Sequence, residues 1–179
     1  MDDEALLTQA AEGDTAAFEL LVRRHADGLW RLARSVVHDD HIAEETVQDT
    51  FVKAHRGLAT YRREASVKTW LSRICYRTAI DRVRIKRLHL VPIDTAEATH
   101  HTAEDIDLRM ALREALDELP GDEREAFELV HVLGYSREEA AQIVGVPAST
   151  LRSRAGRARQ RLATALSSIE DSVAEELGP

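Results

Sequence analysis

The stretch from Gly134 to Leu162, GYSREEAAQIVGVPASTLRSRAGRARQRL, constrains this chain most. It predicts two short helices around a tight turn. Ser136 followed by Glu139 has the spacing of a capping box, in which a hydroxyl and a carboxylate satisfy backbone N–H groups at a helix start. Ala140, Ile143 and Val144 give the first helix an apolar stripe. Gly145 suits the backbone where that helix stops, and Pro147 fits the opening of the next. Leu151, Ala155, Ala158, Leu162 and Leu166 then recur at helical spacing. Arg152, Ser153 and Arg157 project from other faces, with Arg154, Arg159 and Arg161 beside them, and no acid falls between Ala140 and Ile169. A short helix, a turn and an arginine-rich second helix is the order in which a helix-turn-helix presents a major-groove reader. A charge run alone usually marks a solvated face. Here the cap, turn, stripe and one-signed charge coincide.

Composition sets the bounds. The 179 residues suffice for two small domains, and 44% hydrophobic content supports a core. Aromatics are only 4% and alanine is abundant, which predicts an all-α fold with an aliphatic core. No apolar run is long enough to span a bilayer and no signal peptide opens the chain, which predicts a cytoplasmic protein. The lone Cys75 excludes an internal disulfide and a cysteine metal cluster. It reads as a small core residue, with a redox switch as the alternative. The net charge of −8 is unusual for a protein that holds DNA unaided. Basic residues gather in 73–87 and 152–161, and acids gather elsewhere. An acidic total would suppress stray DNA binding until a partner positions the basic helices.

Along the chain, residues 3–11 read as a short helix closed by Gly13. Asp14 reads as the N-cap of a long amphipathic helix reaching Val37, with His25 a satisfied boundary residue in its stripe. His38-Asp39-Asp40-His41 is a polar break. Asp39 or Asp40 caps the next helix, from Ile42 to Leu58, and this reading outweighs a metal site. A loop follows, with Ser66 as a cap near Thr69, and then a helix from Val67 to Arg87 that buries Val67, Trp70, Leu71 and Ile74. Lys68, Arg73, Arg77 and Arg82 beside Tyr61 suit single-stranded nucleic acid, because bases stack on aromatics while cations track the backbone. Residues 89–105 lack periodicity and basic residues and read as a linker. A helix from Asp107 stops at Pro120-Gly121. Asp122 with Glu125 reads as a second capping box, ahead of a helix burying Ala126, Phe127, Val130 and Leu133. The acidic tail, 169–179, is expected to fray.

Two groups of segments together resemble the extracytoplasmic-function (ECF, group IV) sigma factors of bacterial RNA polymerase, in the sigma-70 family. The first comprises Ala43-Glu44-Glu45-Thr46-Val47-Gln48-Asp49-Thr50-Phe51, Lys68-Thr69-Trp70-Leu71-Ser72-Arg73-Ile74 and Ala79-Ile80-Asp81-Arg82. The second comprises Ala115-Leu116-Asp117-Glu118-Leu119-Pro120, Gly145-Val146-Pro147, Thr150-Leu151-Arg152-Ser153-Arg154 and Arg157-Ala158-Arg159. The resemblance implies two helical domains: region 2 at 1–88 and region 4 at 106–168, with the linker and tail outside them. It implies a non-catalytic specificity subunit without cofactor or metal. Its partners would be core RNA polymerase (β′ clamp helices and β flap), promoter DNA and an anti-sigma factor.

By the same resemblance, Glu45, Gln48, Asp49 and Lys53 would face the polymerase. Tyr61, Arg62, Arg63, Lys68, Arg73, Arg77 and Arg82 would hold the minus-ten strand. Ser149, Thr150, Arg152, Ser153, Arg154 and Arg157 would read the minus-thirty-five element. Gly156, Val130 and the pair Glu45-Thr46 depart from the family pattern, so upstream contacts should rest more on Arg152, Ser153 and Arg157. Two other readings compete. One is a stand-alone helix-turn-helix regulator with a helical sensing domain. The other is a metal-dependent hydrolase built on His38, His41 and Glu45, for which the sequence supplies neither a nucleophile nor a phosphate-binding loop.

Overall fold

A computed structural model describes residues 1–89 and 112–177, with side chains described to 85 and from 112 to 167. The described residues are helical, with no strand among them. Two compact units emerge. Among the described residues, one comprises 1–89 and Glu138–Val146, the other 112–137 and 147–177.

In the first unit, α1 (Asp3–Ala11), α2 (Thr15–Val37), α3 (Asp40–Arg56) and α4 (Val67–His89) follow in order. A 3₁₀ turn, Leu58–Thr60, lies within the stretch read as loop. Their starts follow local side-chain chemistry. Asp14 accepts from the N–H groups of Ala16 and Ala17 at 2.9 and 3.2 Å. Asp39 accepts from Ile42 N at 3.0 Å, and Ser66 accepts from Thr69 N at 3.1 Å. α2 ends where His38 turns into the left-handed region (φ 55°) and its N–H returns to Arg34 O.

α2 packs on both α3 and α4, which also pack on each other, while α1 lies along α2. Leu6, Leu21, Leu29, Leu32, Val67, Leu71 and Ala79 are buried in this core. So are Thr46, Thr50 and Thr78. Each of these hydroxyls donates to the carbonyl one turn back, at 2.6, 2.7 and 2.8 Å, which satisfies polar groups that would otherwise resist burial. His25 is a satisfied boundary residue as expected, its Nε2 lying 2.8 Å from Asp3 Oδ2.

In the second unit, α5 is described over 112–117 and α6 spans Gly121–Phe127. The helix expected from Asp107 lies outside the described residues before 112, and so does the linker from 90 onward. Ala115, Leu119, Ala158 and Leu162 form a core, joined by Leu116, Phe127 and Ala165. The expected capping box at Asp122 is not formed. Pro120 holds the N-cap position without a side-chain cap, so Asp122 lies inside the first turn. The register after Phe127 also differs from expectation. A π-helical turn, Glu128–Val132, places Leu129 in the core, leaving Val130 and Leu133 half-buried.

α7 (Arg137–Val144) stops at Gly145, whose φ of +86° only glycine adopts freely, and whose N–H returns to Ala141 O at 2.9 Å. α8 (Ala148–Leu177) then begins with the Pro147 carbonyl accepting from Thr150 and Leu151. Leu151, Ala155, Ala158 and Leu162 are buried, as their spacing predicts. α8 runs on as helix to Leu177, into the stretch expected to fray.

Candidate nucleic-acid interfaces

The start of α8 carries the expected reader residues. Ser149, Arg152 and Ser153 are exposed and Thr150 is half-buried. Apart from Ser153, which accepts a hydrogen bond from Arg157, they take no part in the ion pairs described next. The arginines at 154, 157 and 161 are committed to acids of α6. Arg154 Nε lies 3.0 Å from Asp122 Oδ2. Arg157 Nε donates to Glu123 Oε1 at 2.7 Å, and its Nη1 donates to Ser153 Oγ at 2.5 Å. Arg161 Nε lies 3.0 Å from Glu123 Oε2. Sequence reasoning missed Glu123. The available signal was an acid at the α6 position one turn before the core residues Ala126 and Phe127.

On the first unit, α4 and the loop before it shape an open hollow of about 240 Å³, lined among others by Tyr61, Arg62, Glu64, Trp70, Arg73 and Arg77. The rings of Tyr61 and Trp70 lie 5.3 Å apart, tilted by 56°. Tyr61 Oη donates to Ala65 O at 2.7 Å, which fixes the ring. Burial, with the charge of Glu4, pushes the Tyr61 hydroxyl above its usual pKa despite Arg63. Trp70, expected in the core, is only half-buried and forms part of the hollow's wall. Arg63 takes a left-handed φ of 57°, and its Nη2 donates to Thr8 Oγ1 at 3.2 Å. Arg62, Lys68 and Arg77 are exposed and Arg73 is half-buried.

Arg82 is not with them. It turns toward α3, its Nη1 donating to Glu45 Oε2 at 2.5 Å and its Nη2 to Asp49 Oδ2 at 2.6 Å. These charge-assisted bonds hold its guanidinium above its usual pKa although burial works against the charge. Lys53 Nζ donates to Thr78 Oγ1 at 2.9 Å, and Gln48 is exposed. A shallow groove of about 560 Å³ runs between α3 and α4, with Ile42 and Ile85 beside these polar groups. In the polar break, Asp39 caps α3, Asp40 pairs with Arg34, and His41 Nδ1 lies 3.5 Å from Glu45. Among the described residues, no three His, Cys, Asp or Glu side chains converge as a metal site would require. No helix among them is long and apolar enough to cross a membrane.

Comparison with known proteins matches residues 21–88 to sigma-70 region 2 and residues 109–162 to sigma-70, region 4. The chain is 35% identical to the ECF RNA polymerase sigma factor SigM of Mycobacterium tuberculosis (strain ATCC 25618 / H37Rv), over 96% of this chain and 88% of that one. It is 31% identical to the RNA polymerase sigma-H factor of Pseudomonas aeruginosa, over 92% and 93%. Among solved structures, it resembles CnrH in complex with the cytosolic domain of CnrY, with a TM-score of 0.70 and 30% identity over 93% and 97% of the two chains. It also resembles the sigma factor RpoE in complex with the anti-sigma factor NepR from Bartonella quintana. The TM-score there is 0.65, at 28% identity over 84% and 96% of the chains.

Proposed function

This chain belongs to the extracytoplasmic-function branch of the sigma-70 family, and on that premise we propose how it divides the work of promoter recognition. As a sigma factor it joins core RNA polymerase and directs promoter-specific initiation. Residues 1–88 act as region 2, 106–168 as region 4, 89–105 as the tether and 169–179 as a tail. The α3 face with Glu45, Gln48, Asp49 and Lys53 docks on the β′ clamp helices, and region 4 docks on the β flap. Ser149, Thr150, Arg152, Ser153 and Arg157 read the minus-thirty-five duplex, with Arg154 bracing α8. Tyr61, Arg62, Arg63, Lys68, Arg73 and Arg77 hold the opened minus-ten strand. The protein performs no chemistry of its own, works in the cytoplasm, and is held in reserve by a separate anti-sigma protein covering a polymerase-binding face.

The observation that favours this reading over a stand-alone regulator is the Tyr61–Trp70 hollow rimmed by Arg62, Arg73 and Arg77. A reader of closed duplex has no use for it. A protein that opens DNA does, because an extruded base needs an aromatic wall to offset the few kcal/mol lost on unpairing. The net charge of −8 fits the same division, since the isolated chain repels DNA until polymerase presents its basic faces.

The deciding experiment is transcription by bacterial core polymerase on a duplex library randomised over both promoter elements. Initiation at selected sequences is expected only when this chain is added. The absence of such transcripts, or a tight duplex footprint without polymerase, would overturn the reading.

A further inference from the structure

Resting on the reading of α8 as the upstream-element reader, we propose that Glu123 is a positioning residue for promoter specificity. From the first turn of α6 it fixes the guanidinium of Arg157 on α8, with Arg161 paired to its other oxygen by charge.

The position itself is unusual. Residue 123 shares a helix face with the buried Ala126 and with Phe127, which packs on the core formed with Ala158 and Leu162 of α8, so an apolar side chain would serve packing there. The chain instead buries a carboxylate, only 5% exposed. A buried carboxylate is strongly disfavoured unless cations satisfy it. Arg157 Nε donates to Oε1 at 2.7 Å, while Arg161 Nε lies 3.0 Å from Oε2 as an ion pair and leaves that oxygen without a hydrogen bond among the described residues. The acid is buried, yet its partners are not. Their side chains remain 51% and 60% exposed. Arg157 is therefore gripped at Nε, and Arg161 is held by charge alone.

Arg157 is held on a second side, where its Nη1 donates to Ser153 Oγ. An arginine free on a helix surface has many rotamers and readily settles on phosphate, which carries no sequence information. One held from two sides has already given up that freedom, so meeting a base edge costs less. Glu123 also offsets one of the two positive charges, trading phosphate attraction for orientation. This lowers general affinity and raises discrimination between sequences.

The test uses the full chain with bacterial core polymerase on the randomised promoter library, reading base preferences from the transcripts. Glu123→Gln keeps the shape and removes the charge. Its preference at one or two upstream positions should flatten about tenfold. Preference at the downstream element should not change, and log–log salt dependence of promoter binding should steepen by about one unit. Glu123→Leu, which suits the apolar surroundings, should flatten the same positions. Arg157→Lys leaves Glu123 paired by Arg161 and loses the fork, so it should reproduce that pattern. An upstream profile unchanged in folded Glu123 variants, or flattened at positions other than those of Arg157→Lys, overturns the proposal. Failure of the unaltered protein to support any selected initiation would instead defeat the sigma-factor reading beneath it.

Discussion

The guanidinium of Arg82 on α4 lies 2.5 Å from the Glu45 carboxylate on α3, and its other arm lies 2.6 Å from Asp49. One side chain thereby joins two helices of the first unit and organises the two acids proposed to face polymerase. Both carboxylates are nearly half exposed, at 45% and 49%, so solvent screens the fork toward the surface range. Arg82→Ala should lower stability by about 1 kcal/mol, read as an earlier urea midpoint. Arg82→Lys should recover less than half, because lysine lacks the two-armed geometry. An unchanged midpoint for Arg82→Ala would mean the fork contributes nothing to the fold.

Cys75 is fully buried, and its Sγ lies 3.5 Å from Leu29 O. Burial pushes the thiol up to about 11, against a smaller opposing effect of the Thr50 hydroxyl. At neutral pH almost no thiolate forms, and the thiolate is the reactive species. The native protein should therefore resist iodoacetamide at pH 8 and be modified rapidly only in denaturant. Prompt labelling of the folded chain would return Cys75 to the list of redox switches.

Asp3 anchors α1 to α2. Burial works against its charge, but hydrogen bonds and charge from Arg24 and His25 win and hold its carboxyl below the usual carboxylate range. A folded-state pKa below the unfolded value stabilises fully above the unfolded pKa and is lost as pH falls through the folded one. The share of the α1 anchor that depends on ionised Asp3 should thus be complete above about pH 5 and be lost as pH falls below about 4. Asp3→Asn should loosen it even at neutral pH. Amide exchange of α1, compared with α2–α4, measures both. Protection of α1 that ignores both acid and the substitution would contradict this account.

The helices and their starts were legible because caps and apolar stripes are local. Asp14, Asp39 and Ser66 each act on backbone within three residues. The misreadings arose where a distant partner outweighed a local pattern. Asp122 has the spacing of a cap, but Pro120 takes that place and Asp122 pairs with Arg154 instead. The π-helical turn moves Leu129 inward, an extra-residue shift that a 3.6-residue period does not contain.

Arg82 looked like a continuation of Arg73 and Arg77. However, five residues from Arg77 rotate a helix by about 140° beyond a full turn, which carries Arg82 round toward α3. The arginines of α8 were legible as a charged series. Their division into held and open members was not, because it depends on acids 32 to 38 residues away: Asp122 for Arg154 and Glu123 for Arg157 and Arg161.

That division separates two substitutions that composition would treat alike. Arg152 is exposed at the start of α8 and makes no ion pair among the described residues. Arg154, two residues on, is half-buried with its Nε against Asp122. Arg152→Ala should leave the thermal midpoint nearly unchanged, because exposed substitutions away from contacts stay within about 0.5 kcal/mol. It should weaken discrimination at one upstream base pair by about 1–3 kcal/mol. Arg154→Ala should do the reverse, loosening α6 from α8 by up to about 1 kcal/mol while base preference stays put. Paired melting curves and promoter-library profiles of the two variants measure both quantities. If Arg152→Ala destabilises the fold and spares promoter choice, the open arginine is a structural residue and the reading face of α8 lies elsewhere.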